Sequence, residues 1–575
     1  TKFLVENVGE RLAGTDKMRV AAEYVCDTLR NYGINAWIDE FYIFSSFPGY
    51  SELLVLSPEE KVIDSFPNLH SASTIPEGIE GDLIYVGAGG EDDYRGKDVR
   101  GKIVLAELSY APPRPEKAKV AERHGAKGLI LMNWGPKDKN VIGRGAIKWV
   151  WGNPTPDDWG EMPRILSINI SRASGEYLKE LLNKGNVKVR IKVDVVRRWV
   201  MARQPTAEIP GSEGYFTLIG GHLEAWGKTA TCNSVGNAVM IELARVISKH
   251  KDMLRRGVMF AFWDGHEIAE AAGSTWFVDN YWQKLNEYCV AYLNIDSPGL
   301  KDASRFVSYA APEAWGFMEE VEKEVLGKPS EKLPPIKIGD NSFLGIGVPY
   351  IFTYATYTEE ELKDKLNWAT FGWWYHSDED DLSKIDWELT KLHIDLFIGY
   401  LMRLNMEPIL PYDFTLTTNQ IDKELKELKS LTTNVIHIDD LVKLNQKLHD
   451  KVKELNEVIS KARELDPNDK TATDAFNLIN RSLMKLSRLL TPAFRSVAGR
   501  YAHDPYGYSI LLKPIPRLYL VITKLREYPS DSIEYKLWET KALREKNLLY
   551  DTLRNSIDVA DFTLEILGSK YGIKV

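Results

Sequence analysis

The chain has 575 residues, of which 44% are hydrophobic and 27% charged, and its formal net charge is −9. A chain of this length exceeds what one hydrophobic core usually organises, so we expect about three domains. The acidic balance argues against a nucleic-acid partner, which would require a basic surface. No apolar run approaches the roughly 18 to 20 residues that span a bilayer, which argues against a membrane partner.

The cysteine content predicts a reducing environment. Cys26, Cys232 and Cys289 are odd in number and far apart in sequence, so they do not indicate a disulfide framework. No signal peptide is visible, although the chain begins at Thr1. From these features we expect a cytoplasmic protein.

The first part of the chain predicts one helix and then a β-rich unit. Residues 10–32 carry apolar side chains at four-residue spacing, with Gly33 just past their end, which is typical of a helix. Two amphipathic stretches, PEKAKVAERHGA and SGEYLKELLNKG, predict short helices farther on. Short β-rich runs bounded by Gly, Asp and Pro accompany them: GDLIYVG, GKIVLAEL and KGLILMNW. We assign residues 47–195 to this self-contained unit.

From about residue 196, strand-like and helix-like runs alternate. The runs are GYFTLIGGH, GNAVMIELARVISKH, GVMFAFWDG, CVAYLNIDS and VPYIFTYA. Such alternation predicts an α/β domain with a doubly wound sheet, and we assign residues 1–46 and 196–408 to it.

After Pro408 the strand-like runs end. Long amphipathic stretches follow at 438–466, 472–490 and 530–570. We therefore predict a C-terminal all-α domain over residues 409–575.

Residues that bind metals follow four predicted strands of the α/β domain. In open α/β sheets, ligands bind outside the carboxyl ends of the strands. A single His there is usually a hydrogen-bonded residue without a metal, and a single Asp is usually a helix cap. The four positions together indicate a zinc site, because imidazole and carboxylate are the usual ligands of catalytic zinc. The candidates are His222 with Glu224, His266 with Glu267, Asp296 and His376.

Several sequence blocks resemble the zinc aminopeptidases and glutamate carboxypeptidases, whose non-catalytic relative is the transferrin receptor. The blocks are GGHLEAW, CNSVGNAV, FWDGHE, AGSTWF, LNIDS and YHSDEDDL, in that order. The segment from DVRGKIVLAE to PRILSINIS resembles the protease-associated domain inserted in that branch, and the helical tail resembles its dimerisation domain. The resemblance implies a zinc-exopeptidase-like mixed sheet, a homodimer and a peptide or small amide substrate.

Carried over position by position, the resemblance implies that His222, Asp296 and His376 are metal ligands and that the Glu224 carboxylate orients His222. Cys232 stands where the family has an Asp that bridges two zinc ions. A thiolate offers one donor atom where a carboxylate offers two, although Cys is a good ligand for a single zinc. The alternative interpretation of Cys232 is a small buried residue at a turn.

A second departure lies at His266 and Glu267, where the family has a general-base Glu followed by a ligand Glu. Gly273 also follows one residue later than in the family. Aligned on the strand end, His266 takes the place of the base and Glu267 that of the ligand. Aligned on GSTWF, Glu267 becomes the base and Ile268 takes the ligand's place. We favour the first alignment, because a strand fixes the residues that leave it, whereas a helical turn absorbs an insertion easily.

Without the bridging Asp and the base Glu, the site lacks two negative charges that would offset two dications. We therefore expect a dimeric homologue of these exopeptidases that binds one zinc ion or none and is weakly active or inactive. The alternative is an active zinc aminopeptidase or carboxypeptidase that uses His266 or Glu267 as its general base.

The candidate substrate-binding residues are Tyr375, Asp340 and Asn341. Tyr375 precedes His376, and the resemblance implies that this position contacts substrate. Asp340 and Asn341 lie where a substrate-contacting loop is expected, with a role as turn residues as the alternative.

Overall fold

A computed structural model describes residues 1–431 and 436–574 of the chain. Within these residues, fourteen strands form one sheet. The strands are β1 (Asn35–Ser57), β2 (Lys61–Ile63), β3 (Ser65–Pro67), β4 (Ile79–Tyr85), β5 (Ile103–Glu107), β6 (Gly128–Met132), β7 (Leu166–Ile170), β8 (Lys188–Ile209), β9 (Phe216–His222), β10 (Gly257–Trp263), β11 (Cys289–Asn294), β12 (Arg305–Ala310), β13 (Glu331–Leu333) and β14 (Tyr350–Thr356).

The helices cover the α/β part of the sheet and form most of the C-terminal region. They are α1 (Asp16–Asn31), α2 (Arg114–Arg123), α3 (Arg172–Lys184), α4 (Val235–Lys249), α5 (Ala272–Asn280), α6 (Trp282–Tyr288), α7 (Trp315–Leu326), α8 (Glu359–Asp364), α9 (Trp387–Asn405), α10 (Phe414–Leu431), α11 (Asp439–Ala462), α12 (Lys470–Arg495), α13 (Pro516–Glu527) and α14 (Ile533–Lys570). The predicted fold class, a mixed α/β sheet with an inserted β-rich unit and a helical tail, is confirmed.

The sheet contains two parallel blocks joined by the long strand β8. Its order is β13-β12-β14-β11-β9-β10-β8-β4-β5-β6-β7-β3, and β1 pairs with β8. Strands β14, β11, β9 and β10 run parallel, and β8 lies antiparallel to β10 and β4. Strands β1 and β8 pair along most of their 23 and 22 residues. They therefore pass without a break through the predicted domain limits at 46/47 and 195/196.

The N-terminal helix is shorter than predicted. Helix α1 begins at Asp16 rather than residue 10, because the Thr15 side chain accepts a hydrogen bond from the Met18 amide and caps the helix. The preceding residues pair instead with the loop after β9: Arg11 Nε donates to the Leu223 carbonyl at 2.6 Å. The prediction of helix over residues 10–15 was therefore wrong.

The helical region packs on the α/β layer through a shared hydrophobic core. Phe317 and Tyr400 of the α/β domain belong to the same buried cluster as Tyr412 and Leu483 of the C-terminal region. Residues 432–435 and 575 of the predicted helical domain lie outside the described residues. In the part of the chain that the structure describes, every helix is too short or too polar to cross a bilayer.

Candidate metal centre

The predicted ligands meet at the carboxyl edge of the parallel strands. His222 is the last residue of β9, whose seven residues are all buried. Glu267 lies in the turn after β10, and Asp296 follows β11 by two residues. His376 comes twenty residues after β14 and returns to the same edge through a loop. The predicted convergence of these side chains is confirmed by their contacts.

Three donor atoms form a nearly regular triangle, which we call the zinc triangle. Cys232 Sγ lies 3.4 Å from His222 Nε2 and 3.7 Å from Asp296 Oδ1, and the third edge, His222 Nε2 to Asp296 Oδ1, is 3.6 Å. Ligands at 2.0–2.3 Å around a tetrahedral zinc lie about 3.3–3.8 Å from one another. The triangle therefore fits one zinc ion with a fourth position open.

The remaining two predicted ligands contact each other, and we call them the Glu267–His376 pair. His376 Nε2 lies 3.0 Å from Glu267 Oε1 and 3.7 Å from Cys232 Sγ. Ile268 is instead fully buried in a hydrophobic cluster. Glu267 and not Ile268 therefore faces the cluster, as the alignment on the strand end predicts. Whether Glu267 serves as ligand or as base stays a prediction. Burial would raise the pKa of Glu267, but the contact with His376 and the nearby imidazoles of His222 and His266 outweigh it and lower the pKa to about 2. Burial lowers the pKa of His376 itself.

His266 is held away from the role of a general base. Its ring stacks on that of His222, with centroids 4.2 Å apart and planes 11° apart, and its Nδ1 lies 2.9 Å from Asp340 Oδ1. Burial alone would lower the pKa of His266, but the Asp340 carboxylate outweighs it and raises the pKa to about 10. A protonated imidazole cannot accept the proton of water. Donor atoms of His266, His222 and Asp296 also lie within 4.8 Å of one another, but two rings stacked nearly parallel do not direct their nitrogen lone pairs at one point.

Glu224 supports the site through contacts other than the predicted one. His222 Nδ1 donates to the main-chain oxygen of Glu224 at 2.7 Å. The Glu224 carboxylate accepts instead from the amides of Ala13 and Glu267, at 2.9 and 2.8 Å. The prediction that this carboxylate orients His222 was wrong: the longer side chain of Glu reaches the turn that carries Glu267.

Cys232 is fixed by neighbours that link it to Asp296. Asn233 Nδ2 donates to the Ile295 carbonyl at 2.8 Å, and Asn233 Oδ1 accepts from the Ser297 amide at 3.1 Å. Burial and the nearby carboxylates raise the pKa of the Cys232 thiol well above its usual range. A metal would reverse this, because a coordinating thiol is deprotonated.

A buried cation next to the site, Arg11, was not predicted from the sequence. Arg11 is fully buried, and its Nη2 donates to Ser234 Oγ at 2.9 Å. Its charge acts favourably on Cys232, Glu224 and Glu267, although burial lowers the pKa of Arg11 to about 10. Arg11 lay inside the predicted helix, and nothing in its spacing marked it as part of the site.

A cavity of about 460 Å³ opens onto the metal centre. Tyr375 lines it and stacks on His376 with ring centroids 3.6 Å apart, and its contact with substrate stays a prediction. Arg114 and Glu270, which sequence reasoning missed, also line it. Aromatic side chains form much of the remaining wall, among them Trp134, Trp151, Phe371 and Tyr506.

Asp340 and Asn341 are engaged away from the cavity. Asp340 binds His266. Asn341 Nδ2 donates to the Ile336 carbonyl at 2.8 Å, and the main-chain carbonyl of Asn341 accepts from Lys337 Nζ. The predicted substrate contacts of these two residues are corrected. Asn341 is a turn residue, which was the alternative interpretation, and Asp340 positions an imidazole.

The fold and the ligand cluster define a zinc-exopeptidase type of domain, and comparison with known sequences agrees. Residues 205–401 match peptidase family M28, and residues 79–178 match the PA domain. The chain therefore carries a peptidase family M28 domain and a PA domain, which confirms the resemblance inferred from its sequence blocks.

Individual relatives are distant. The chain is 23% identical to a probable glutamate carboxypeptidase VP8 of Zea mays, over 87% of this chain and 79% of that protein. It is 22% identical to transferrin receptor protein 2 of Mus musculus over 55% of this chain, and it spans 47% of that receptor. Among solved structures, an aminopeptidase from Aneurinibacillus sp. strain AM-1 aligns with a TM-score of 0.52 at 21% identity, over 70% of this chain and 92% of that one. At this identity the structural likeness supports the fold alone.

Proposed function

We propose that the protein is a slow exopeptidase that works with one zinc ion held by the zinc triangle. The observation that carries the proposal is the set of three edges of 3.4, 3.7 and 3.6 Å among His222, Cys232 and Asp296. The chain is a homologue of zinc metallo-exopeptidases, and its donor set of imidazole, thiolate and carboxylate suits zinc. A second ion is disfavoured because Asp296 supplies the only carboxylate of the zinc triangle, and Glu267 is the one further carboxylate in the predicted ligand set.

When bound, zinc would polarise the substrate carbonyl and lower the pKa of a water molecule. Glu267 would be the residue that accepts a proton from water: it is ionised at neutral pH and lies within 4.8 Å of the donor atoms of His222 and Cys232. His376 holds the Glu267 carboxylate through their 3.0 Å contact. Of the two candidate bases, the geometry therefore favours Glu267 over His266.

Arg114 supports binding of a peptide through a terminal carboxylate. It lies at the start of α2 and lines the cavity, and its guanidinium makes no hydrogen bond or ion pair with any described residue. A planar guanidinium is suited to bidentate binding of a carboxylate. The open zinc position would then hold the carbonyl of the scissile bond, and Arg114 would hold the terminal carboxylate of the same peptide.

The test is zinc content together with hydrolysis. Protein purified without chelator is analysed for metal by mass spectrometry and assayed against a panel of unmodified di- and tripeptides. We expect one zinc per chain and slow cleavage that stops when zinc is removed. Two zinc ions per chain would contradict the single-ion site, and one zinc without any cleavage would reduce the protein to a metal-binding scaffold.

We also propose that the protein is a homodimer through its helical region. Helix α14 is 38 residues long and leaves several large apolar side chains in solvent. They are Ile533, Leu537, Leu543, Tyr550 and Phe562, each between 42% and 76% exposed. Light scattering at micromolar concentration should give twice the chain mass, and Leu537→Lys should shift it toward the monomer. A monomeric unmodified protein would contradict the proposal.

A further inference from the structure

The turn between β10 and α5 carries a carboxylate that the proposed reaction does not use. This turn, residues 264–271, is one residue longer than the spacing expected from the family resemblance. The extra length is not absorbed in the helix, which begins at Ala272. Instead Glu270 and Ala271 both adopt left-handed backbone conformations, with φ of 49° and 58°. Such conformations are unfavourable for residues other than glycine and cluster at functional sites.

The β-rich unit holds this turn in place from outside. The Gly152 amide donates to the Glu270 carbonyl at 2.7 Å, and Lys148 Nζ donates to the Ala269 carbonyl at 2.7 Å. His70 Nε2 lies 2.9 Å from the Ile268 carbonyl. These contacts fix the main chain and leave the Glu270 side chain to the cavity.

The Glu270 side chain has no partner of its own. It is 6% exposed, lines the cavity beside the metal centre, and makes no hydrogen bond or ion pair with any described residue. Buried carboxylates normally have such partners. Lys148, His266 and Arg114 act on its charge only from a distance, and burial raises the pKa of Glu270 to about 8. A cation placed beside the Glu270 carboxylate would offset the free-energy cost of burying its charge.

We propose that Glu270 binds the free ammonium group of the substrate, so that the cavity selects short peptides with an unblocked N-terminus. The proposal rests on the proposed peptidase function and adds a second anchor to it. Arg114 and Glu270, one basic and one acidic and both without a hydrogen-bond or ion-pair partner among the described residues, line one cavity of about 460 Å³. A peptide that reaches both anchors at once is zwitterionic and only a few residues long, and the aromatic wall favours apolar side chains.

The test measures binding and does not depend on turnover. The probes are the dipeptide Phe-Leu and its N-acetyl counterpart, titrated by calorimetry into zinc-loaded protein. We expect N-acetylation to weaken binding at least tenfold for the unmodified protein. Glu270→Gln should weaken binding of Phe-Leu by a similar factor and leave the acetylated peptide unchanged. The control is Glu388→Gln, an exposed glutamate on α9 that should bind as the unmodified protein does.

The outcomes separate this inference from the proposed function. If the unmodified protein binds both peptides equally, or binds neither, the proposed role of Glu270 is overturned. No variant is needed for that conclusion. Selective binding without hydrolysis supports the ammonium site and contradicts the peptidase instead. Binding of the acetylated peptide by Glu270→Gln with the affinity of the unmodified protein confirms that the wall of the cavity is intact in the variant.

Discussion

The two sides of the metal centre are supported by different parts of the molecule. The zinc triangle is fixed within the α/β domain: His222 binds the Glu224 carbonyl, and Asn233 ties the Cys232 loop to the residues on either side of Asp296. The Glu267–His376 pair is fixed from the β-rich unit. Arg144 and His376 exchange two hydrogen bonds of 3.0 Å, one from His376 Nδ1 to the Arg144 carbonyl and one from the Arg144 amide to the His376 carbonyl.

This difference separates metal binding from catalysis. A zinc ion on the triangle needs only residues of the α/β domain. The correct placement of Glu267 also needs the β-rich unit, whose Lys148 and Gly152 hold the turn that carries it. Changes on one side should therefore alter zinc content, and changes on the other should alter turnover.

The largest effect is expected from Glu267→Gln. This change removes the proton acceptor but leaves all three members of the zinc triangle, so hydrolysis should fall by about 10²- to 10⁴-fold while zinc content stays at one per chain. Steady-state kinetics with the best substrate of the panel and metal analysis of the same sample test it. Loss of zinc together with activity would mean that Glu267 is a ligand of the ion.

Cys232→Ala should remove the zinc itself. Deleting one of three ligands is expected to weaken zinc affinity by more than about 100-fold, since even outer-shell partners contribute 10- to 100-fold. Competition with a chromophoric chelator measures the affinity. Cys26→Ala is the matched control, because Cys26 is also buried but lies on α1 away from the site. If Cys232→Ala binds zinc with unchanged affinity, Cys232 is a packing residue and not a ligand.

Restoring both missing carboxylates should create a second metal position. In the double variant Cys232→Asp with His266→Glu, a bridging carboxylate and an added negative charge would offset a second dication, so zinc content should rise from one towards two per chain and hydrolysis should increase. Neither single change should suffice, because the bridging carboxylate and the added negative charge are both needed to offset the second dication. Two zinc ions in either single variant would refute that requirement.

The smallest effect is expected from Lys148→Met. Its ammonium group donates to the Ala269 carbonyl, so the change should loosen the turn and lower hydrolysis about tenfold without loss of zinc. Lys97→Met, at an exposed position of the same unit, is the control. Equal kinetics for the two variants would show that the β-rich unit does not set the position of Glu267.

The sequence predicted the sheet and the cluster of metal-binding residues at its edge more completely than it predicted their support, and it left open whether Cys232 is a ligand. Buried strands and the polar residues at their ends have a clear pattern, so His222, Asp296 and the strand-based alignment of Glu267 could be read directly. Arg144, Lys148 and Gly152 act largely through main-chain atoms or through contacts with main-chain carbonyls, and such contacts leave no residue pattern. The bond from His222 to the Glu224 carbonyl was missed for the same reason.

The protonated state of His266 depends on Asp340, a residue 74 positions away. From sequence, His266 has an ordinary imidazole pKa near neutrality and is a reasonable base. Only the fold brings the carboxylate to it. Charges on Arg114 and Glu270 were likewise visible in the sequence, but their common cavity was not.

The central claim, one zinc ion on the triangle, is tested most directly by anomalous diffraction at the zinc edge from crystals grown without chelator. We expect a single peak per chain, about 2.0 to 2.3 Å from His222 Nε2, Cys232 Sγ and Asp296 Oδ1. Two peaks bridged by Cys232, or a single peak between Glu267 and His376, would contradict it.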